Sequence, residues 1–171
     1  RTAFAMAASD TPGVFLAFDR KVMLGCRAVK VRASGFSAFE SVNARYAGLV
    51  SNRGLVLDSR VLPPVGEKPA LLDGISKDVF LLKLTPGLSP DIFKALIGMG
   101  YKGIVLEAFG LGGINSLDTG LAGIREAVEA GIAVVVTTQC LYDSSDLRVY
   151  QVGNKLLELG VIQGRDMTSE A

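Results

Sequence analysis

The fold is decided by residues 78–108, which read DVFLLKLTPGLSPDIFKALIGMGYKGIVLEA. Two apolar segments, Val79–Leu84 and Gly103–Ala108, have the length and composition of buried strands. Residues 89–99 lie between them, begin with Ser-Pro and are followed by a glycine, which predicts a helix over Asp91–Met99 with Ser89 as its N-cap. A strand, a crossover helix and a second strand predict that the two strands run parallel.

The same alternation continues toward the C-terminus. A helix is predicted over Leu117–Ala130, a third strand over Ile132–Thr137, and a last helix from Asp146 to Leu159. Short loops between such elements predict an α/β domain whose parallel sheet is covered on both faces. The crossovers are expected to be right-handed.

The residues before Asp78 have a different character. The sequence predicts the end of a helix over Arg1–Ala8 and a β-hairpin made by Val14–Phe18 and Val22–Leu24. Residues 44–77 contain three of the six prolines and only weak apolar segments. We therefore expect a linker there, with one or two short strands.

Composition excludes several classes of function. The 171 residues are 49% hydrophobic and 20% charged, with a net charge of +1, so no nucleic-acid partner is expected. The longest apolar runs, such as Ile132–Val136, are far shorter than the roughly 20 residues of a membrane span. Arg1–Ala8 is a poor signal peptide, since polar residues follow it directly.

Histidine is absent and cysteine is sparse, which limits the chemistry further. Without histidine the chain has no Ser-His-Asp triad, no histidine general base and few routes to a zinc site. Cys26 and Cys140 lack a metal-ligand spacing, so we expect both to be small buried hydrophobic residues in a reducing, intracellular setting.

A ligand site is predicted where the parallel strands end. Ligands of open parallel sheets bind at the carboxyl ends of the strands, and three segments meet there: Thr85–Gly87, Phe109–Gly113 and Thr138–Tyr142. Their hydroxyl, amide, thiol and backbone N–H groups suit a small polar ligand such as an amino acid, or a subunit contact. The candidate residues are Thr85, Gly110, Gly112, Gly113, Thr138 and Cys140.

Each candidate also has a purely structural interpretation. The three glycines can simply turn the chain, and they lack the G-x-G-x-x-G spacing of a dinucleotide site, so no cofactor is expected. Thr137 and Thr138 can be ordinary strand-end residues, because β-branched residues favour strands. Asp143 and Asp146 are typical of turn and cap chemistry.

Four segments, in order along the chain, resemble type I, cytoplasmic-type L-asparaginases. They are Phe36–Asn43, Gly100–Glu107 with Gly110–Gly112, Val134–Cys140 and Gly160–Ala171. The resemblance implies a larger N-terminal and a smaller C-terminal α/β domain. Residues 1–43 would be the tail of the first domain with its β-hairpin, 44–77 the linker and 78–171 the C-terminal domain, with a final helical region beginning near Gly160.

The resemblance implies cytoplasmic hydrolysis of L-asparagine to aspartate and ammonia. The family's nucleophile lies in a Thr-Gly-Gly-Thr segment and its second threonine in a Gly-Thr-Asp-Thr segment, and neither occurs here. No catalytic residue is therefore assigned, and we expect the N-terminal catalytic domain to be absent from this chain. A threonine hydroxyl needs an adjacent base and an oxyanion site, so the isolated chain is expected to be inactive.

The resemblance gives this chain an indirect role in a homodimer or homotetramer. Thr85 would help to close the active site of a second subunit. Some type I members bind asparagine at a regulatory site, and Thr138 and Cys140 match its Thr-Gln-Cys segment. Glu107 departs from the pattern, because the regulated bacterial enzyme has a basic residue there and an acid would repel the carboxylate of the effector.

Two other functions remain open at this stage. One is the ammonia-releasing subunit of a glutamyl-tRNA(Gln) amidotransferase, which shares this domain. The other is a non-catalytic domain that binds an amino acid or supports assembly.

Overall fold

The computed structural model describes residues 1–64, 66, 71, 73–114 and 119–171, of which Thr119 is described by its backbone alone. The chain divides into two compact units. Unit 1 contains residues 1–72 with 170–171, and unit 2 contains residues 73–169.

Unit 1 contains a four-stranded antiparallel sheet and a short helix. Its elements are α1 (Thr2–Ala7), β1 (Phe15–Phe18), β2 (Lys21–Leu24), β3 (Ala28–Lys30), β4 (Phe39–Ser41), β5 (Gly48–Ser51) and β6 (Gly54–Leu57). The sheet has the order β1-β2-β5-β6, and β3 pairs with β4 in a separate ribbon. Met6 of α1 packs with Val22 and Ala47 in a small core.

The predicted hairpin is present as β1 and β2, but the predicted linker over 44–77 is wrong for residues 48–57. These residues form β5 and β6, and β5 pairs with β2, so they belong to the sheet of unit 1. The turn between the two strands needs Gly54, whose φ of 101° is unfavourable for other residues. One or two short strands were expected in this range, but glycines at the start of both strands weaken the pattern that would assign them to a sheet.

Unit 2 confirms the predicted parallel α/β arrangement. Its elements are β7 (Val79–Lys83), α2 (Asp91–Gly98), β8 (Gly103–Ala108), α3 (Thr119–Glu129), β9 (Ala133–Thr138), α4 (Gln151–Glu158) and β10 (Ile162–Gln163). The sheet has the order β10-β9-β8-β7, and every neighbouring pair is parallel.

One face of this sheet holds the core of unit 2. Leu82, Leu106 and Val136 are register neighbours on this face and are almost completely buried. They share a single core with residues of all three helices, such as Leu96, Ile124 and Leu156.

The other face of the sheet is open, contrary to the prediction that both faces are covered. A row of four apolar side chains crosses it, one from each strand: Leu81, Val105, Val135 and Ile162. Leu81 is 49% and Ile162 53% exposed, whereas Val105 and Val135 are half-buried. The prediction failed because apolar strands alone do not reveal on which face each helix packs.

Three further expectations need correction or fall outside the structure. The last helix begins at Gln151, not at Asp146, whose carboxylate instead accepts a hydrogen bond from the Arg148 backbone N–H in a turn. The expected helical region after Gly160 contains β10 and turns. Residues 115–118, where the helix over Leu117–Ala130 was expected to begin, are outside the described part.

No helix in the described ranges is long and apolar enough to cross a membrane.

Candidate functional site

Three segments of unit 2 follow the carboxyl ends of neighbouring strands, and together we call them the rim: Thr85–Gly87, Gly110–Gly113 and Thr138–Cys140. Hydrogen bonds connect the strand ends from which these segments start. The Leu84 N–H donates to the Glu107 carbonyl at 3.0 Å, and the Gln139 N–H donates to the Ala108 carbonyl at 3.0 Å. The rim is therefore one continuous edge of the sheet.

The side chain of Gln139 crosses this edge. Its amide nitrogen donates to the carbonyl oxygen of Leu84 at 2.6 Å and to that of Glu107 at 3.0 Å. One half-buried amide thus satisfies backbone acceptors of two neighbouring strands, where the regular ladder stops.

The glycine segment forms a tight turn that packs on the loop before α4. Phe109 and Gly113 form an antiparallel bridge, and the Leu111 carbonyl accepts a hydrogen bond from the Asp146 N–H at 2.9 Å. Gly112 has a φ of 126°, and a Cβ atom there would lie 2.3 Å from Cδ2 of Leu147. Turn geometry and close packing therefore require glycine at this position.

Gly112→Ala is expected to lower the free energy of unfolding by about 2–4 kcal/mol, from backbone strain and overpacking against Leu147. Gly113→Ala is the matched control, since the nearest atom to its Cβ would lie 3.4 Å away. The control is expected to cost less than about 1 kcal/mol. Thermal unfolding of the two variants measures the difference, and equal losses would contradict the packing explanation.

Thr138 and Cys140 lie together, but their exposures differ from the sequence-based expectation. The Thr138 hydroxyl accepts a hydrogen bond from the Cys140 N–H at 3.0 Å, so it holds the local turn. Cys140 and Cys26 are both exposed free thiols, which corrects the expectation that both are buried. Thr137 is buried, and its hydroxyl lies 3.1 Å from that of Ser169.

Glu107 is compensated by a neighbouring lysine. Its carboxylate lies 3.7 Å from Nζ of Lys83, the register neighbour on β7, and only 18% of its side chain is exposed. The positive charge of Lys83 therefore offsets part of the negative charge that Glu107 brings to this edge of the sheet. An ion pair with an exposed lysine contributes little to stability.

The rim presents hydroxyl, amide and backbone groups, which are the kinds of group that hold small polar molecules in proteins. Among the described residues, no cluster of His, Cys, Asp and Glu side chains is able to hold a metal ion. Within the described ranges, the carboxyl group with a strongly lowered pKa, about 2, is Asp58 of unit 1, chiefly because it accepts hydrogen bonds from the Arg60 side chain. That carboxyl group belongs to a surface ion-pair network of unit 1, not to the rim.

Sequence reasoning missed two side chains that shape this region. Gln139 was seen only as part of a polar segment, and nothing local indicates that its amide reaches two other strands. Ser145, interpreted as part of a turn, is completely buried, and its hydroxyl lies 3.3 Å from the Val136 carbonyl and 3.2 Å from the Arg165 carbonyl. A serine pair between two aspartates is too common in turns to signal such burial.

Two protein families match the chain. The family described as "Glutaminase/Asparaginase C-terminal domain" matches residues 78–171, and the one described as "Asparaginase, N-terminal" matches residues 1–62. An L-asparaginase of Thermococcus kodakarensis is 40% identical over 172 residues, covering 100% of this chain and 52% of the relative. A glutamyl-tRNA(Gln) amidotransferase subunit of Methanopyrus kandleri is 37% identical over 152 residues, covering 85% of this chain and 33% of the relative.

Solved structures agree with these matches. The thermostable L-asparaginase from T. kodakarensis superposes with a TM-score of 0.89 at 39% identity, covering 99% of this chain and 51% of that one. L-asparaginase I from Vibrio cholerae superposes with a TM-score of 0.80 at 31% identity, covering 96% of this chain and 51% of that one. The chain therefore spans about half the length of the L-asparaginases that it matches.

Proposed function

This chain belongs to the glutaminase/asparaginase family, and from that membership we propose that it is part of an L-asparaginase that hydrolyses L-asparagine to L-aspartate and ammonia. Within that enzyme it supplies the C-terminal domain and a subunit interface. Likeness over the whole chain supports the proposal, since both families match in chain order and the 40% identity extends from end to end.

We propose that the rim is where this chain contacts the amino acid. The observation that carries this proposal is the junction of three strand ends, each followed by a polar or glycine-rich segment, at the edge where ligands of open parallel sheets bind. Thr138, Cys140 and the turn at Gly110–Gly113 are the proposed contacts, and Thr85 closes the site of a second subunit.

Neither threonine segment of the family's chemistry occurs in these residues, so we propose that the chain binds the amino acid without cleaving it by itself. The resemblance to type I enzymes supports the cytoplasm as the location and a homodimer or homotetramer as the working form.

A second function is favoured by a specific observation. Several relatives are named as a subunit of glutamyl-tRNA(Gln) amidotransferase, at 33–37% identity over 85% of this chain. In that case the ammonia would be released for glutaminyl-tRNA formation. In the whole enzyme that contains this chain, ammonia release that depends on charged tRNA would favour this alternative, and release from free L-asparagine alone would favour the asparaginase.

L-Asparagine is expected to raise the thermal unfolding midpoint of the 171-residue chain without being consumed. A ligand that binds only the folded state stabilises it by RT ln(1 + [L]/Kd), which is about 2.7 kcal/mol at a hundredfold excess over Kd. D-Asparagine and glycine at equal concentration are the controls. No shift with L-asparagine would refute binding at the rim, and ammonia release above background would refute the assignment of catalysis to residues outside this chain.

A further inference from the structure

We infer that Gln139 is the positioning residue of the rim. By holding the carbonyls of Leu84 and Glu107, its side-chain amide sets the conformation of the Thr85–Gly87 loop and hence the affinity for the amino acid. The part of this inference that concerns affinity rests on the proposed function, whereas the part that concerns loop conformation does not.

The hydrogen bonds of the Thr85–Gly87 loop explain why it needs an external support. The Leu84 N–H, one residue after β7, donates to β8, and Pro86 has no N–H at all. The carbonyl of Thr85 already accepts from the Leu88 N–H at 3.1 Å within the turn. The carbonyl of Leu84 is a point at which the sheet holds the start of this loop, and the Gln139 amide donates to it at 2.6 Å.

The second bond of the same amide ties the loop to the neighbouring strand. The Glu107 carbonyl accepts from both the Leu84 N–H and the Gln139 side chain, each at 3.0 Å. Glu107 is followed, two residues later, by the turn that begins at Phe109. One side chain from the Thr138–Cys140 segment thus fixes the start of the Thr85–Gly87 loop against β8, next to the glycine turn.

Gln139→Glu tests this role with almost no change in shape. An ionised carboxylate cannot donate, and its oxygens would face two carbonyl oxygens. Amide hydrogen exchange of Leu84 and Leu88, whose N–H groups donate to the Glu107 and Thr85 carbonyls, is expected to become faster at pH 7.5. The affinity for L-asparagine is expected to fall at least about tenfold, because each lost hydrogen bond costs a factor of several.

The pH dependence separates positioning from general loosening. At pH 5 a carboxyl group facing two carbonyls takes up a proton in part, regains a donor, and is expected to recover some of the affinity. The chain contains no histidine, so no histidine titration disturbs the comparison between pH 7.5 and pH 5.

Gln163→Glu is the matched control. Gln163 also bridges backbone groups at this sheet, accepting from the Leu147 N–H at 3.3 Å and donating to the Ser145 carbonyl at 3.0 Å, but it lies outside the rim. It is expected to leave the exchange at Leu84 and Leu88 unchanged. Gln139→Met, which has no donor at any pH, replaces the first variant if Gln139→Glu does not fold.

The outcomes are distinct. Unchanged exchange at Leu84 and Leu88 in the Gln139 variants, or equal effects of the Gln139 and Gln163 variants on that exchange, would overturn the inference. If exchange is faster in the Gln139 variants but the wild-type chain does not bind L-asparagine, the positioning of the loop would be supported and the proposed function of the rim refuted.

Discussion

Gly153→Ala is expected to lower the free energy of unfolding of unit 2 by about 3 kcal/mol or more, although alanine favours helices over glycine. Gly153 lies in α4, and a Cβ atom there would lie 2.0 Å from the Leu147 carbonyl oxygen and 2.7 Å from its carbonyl carbon. These are backbone atoms, so no rotamer change relieves the overlap. The helix and the preceding loop would have to move apart.

The consequence of that movement extends to the rim. Leu147 is 1% exposed and lies between two glycines, since its side chain contacts Gly112 and its backbone contacts Gly153. Displacement of Leu147 is therefore expected to loosen the glycine turn as well. Faster hydrogen exchange of the Gly110–Gly113 amides in the Gly153 variant would measure this coupling.

Gly98→Ala is the control for the same substitution in a helix. Gly98 is the last residue of α2, and a Cβ atom there would have no neighbour within 4 Å. Gly98→Ala is expected to change the free energy of unfolding by less than about 0.5 kcal/mol, or to raise it slightly. Equal thermal stability of the Gly153 and Gly98 variants would contradict the close packing of α4 on Leu147.

The strands of unit 2 were predictable because local composition determines them. The predicted strands Val79–Leu84, Gly103–Ala108 and Ile132–Thr137 differ from β7, β8 and β9 by one residue at most at each end. Each is a mainly apolar run bounded by glycine, proline or polar residues. Parallel pairing then followed from the helices between them, which leave no other connection.

The features that sequence reasoning missed depend on distant partners. β5 pairs with β2, which lies more than 20 residues earlier in the chain, and β10 consists of only two residues added to the edge of a sheet. A short strand was expected near β5, but nothing local shows its pairing with β2, and β10 has no local pattern strong enough to be recognised.

The candidate site was likewise predictable only in part. Its location could be predicted, because the ends of parallel strands meet at one edge whatever their sequence. The role of each side chain at that edge could not be predicted from the sequence. Gln139 acts through carbonyls of β8 and of the residue after β7, and Gly112 is required by a leucine 35 residues later in the chain.

Leu82→Ala is expected to cost about 3 kcal/mol of unfolding free energy, whereas Leu81→Ala is expected to cost less than about 1 kcal/mol. The two leucines are consecutive on β7 and undergo the same chemical change, but they point to opposite faces of the sheet. Leu82 is 6% exposed within the core of unit 2, and Leu81 is 49% exposed on the open face. The comparison therefore isolates burial from strand propensity.

Hydrogen exchange of the β8 amides, Gly103–Ala108, is the appropriate measurement because it reports unit 2 alone in a chain with two units. The Leu82 variant removes a contact with the covered face, where Leu106 is its register neighbour, and leaves a cavity that the surrounding helices fill only in part. The Leu81 variant exposes β8 little more than before. Similar losses of protection in the two variants would mean that the face carrying Leu81, Val105, Val135 and Ile162 is covered in solution, and the one-sided packing described for unit 2 would be wrong.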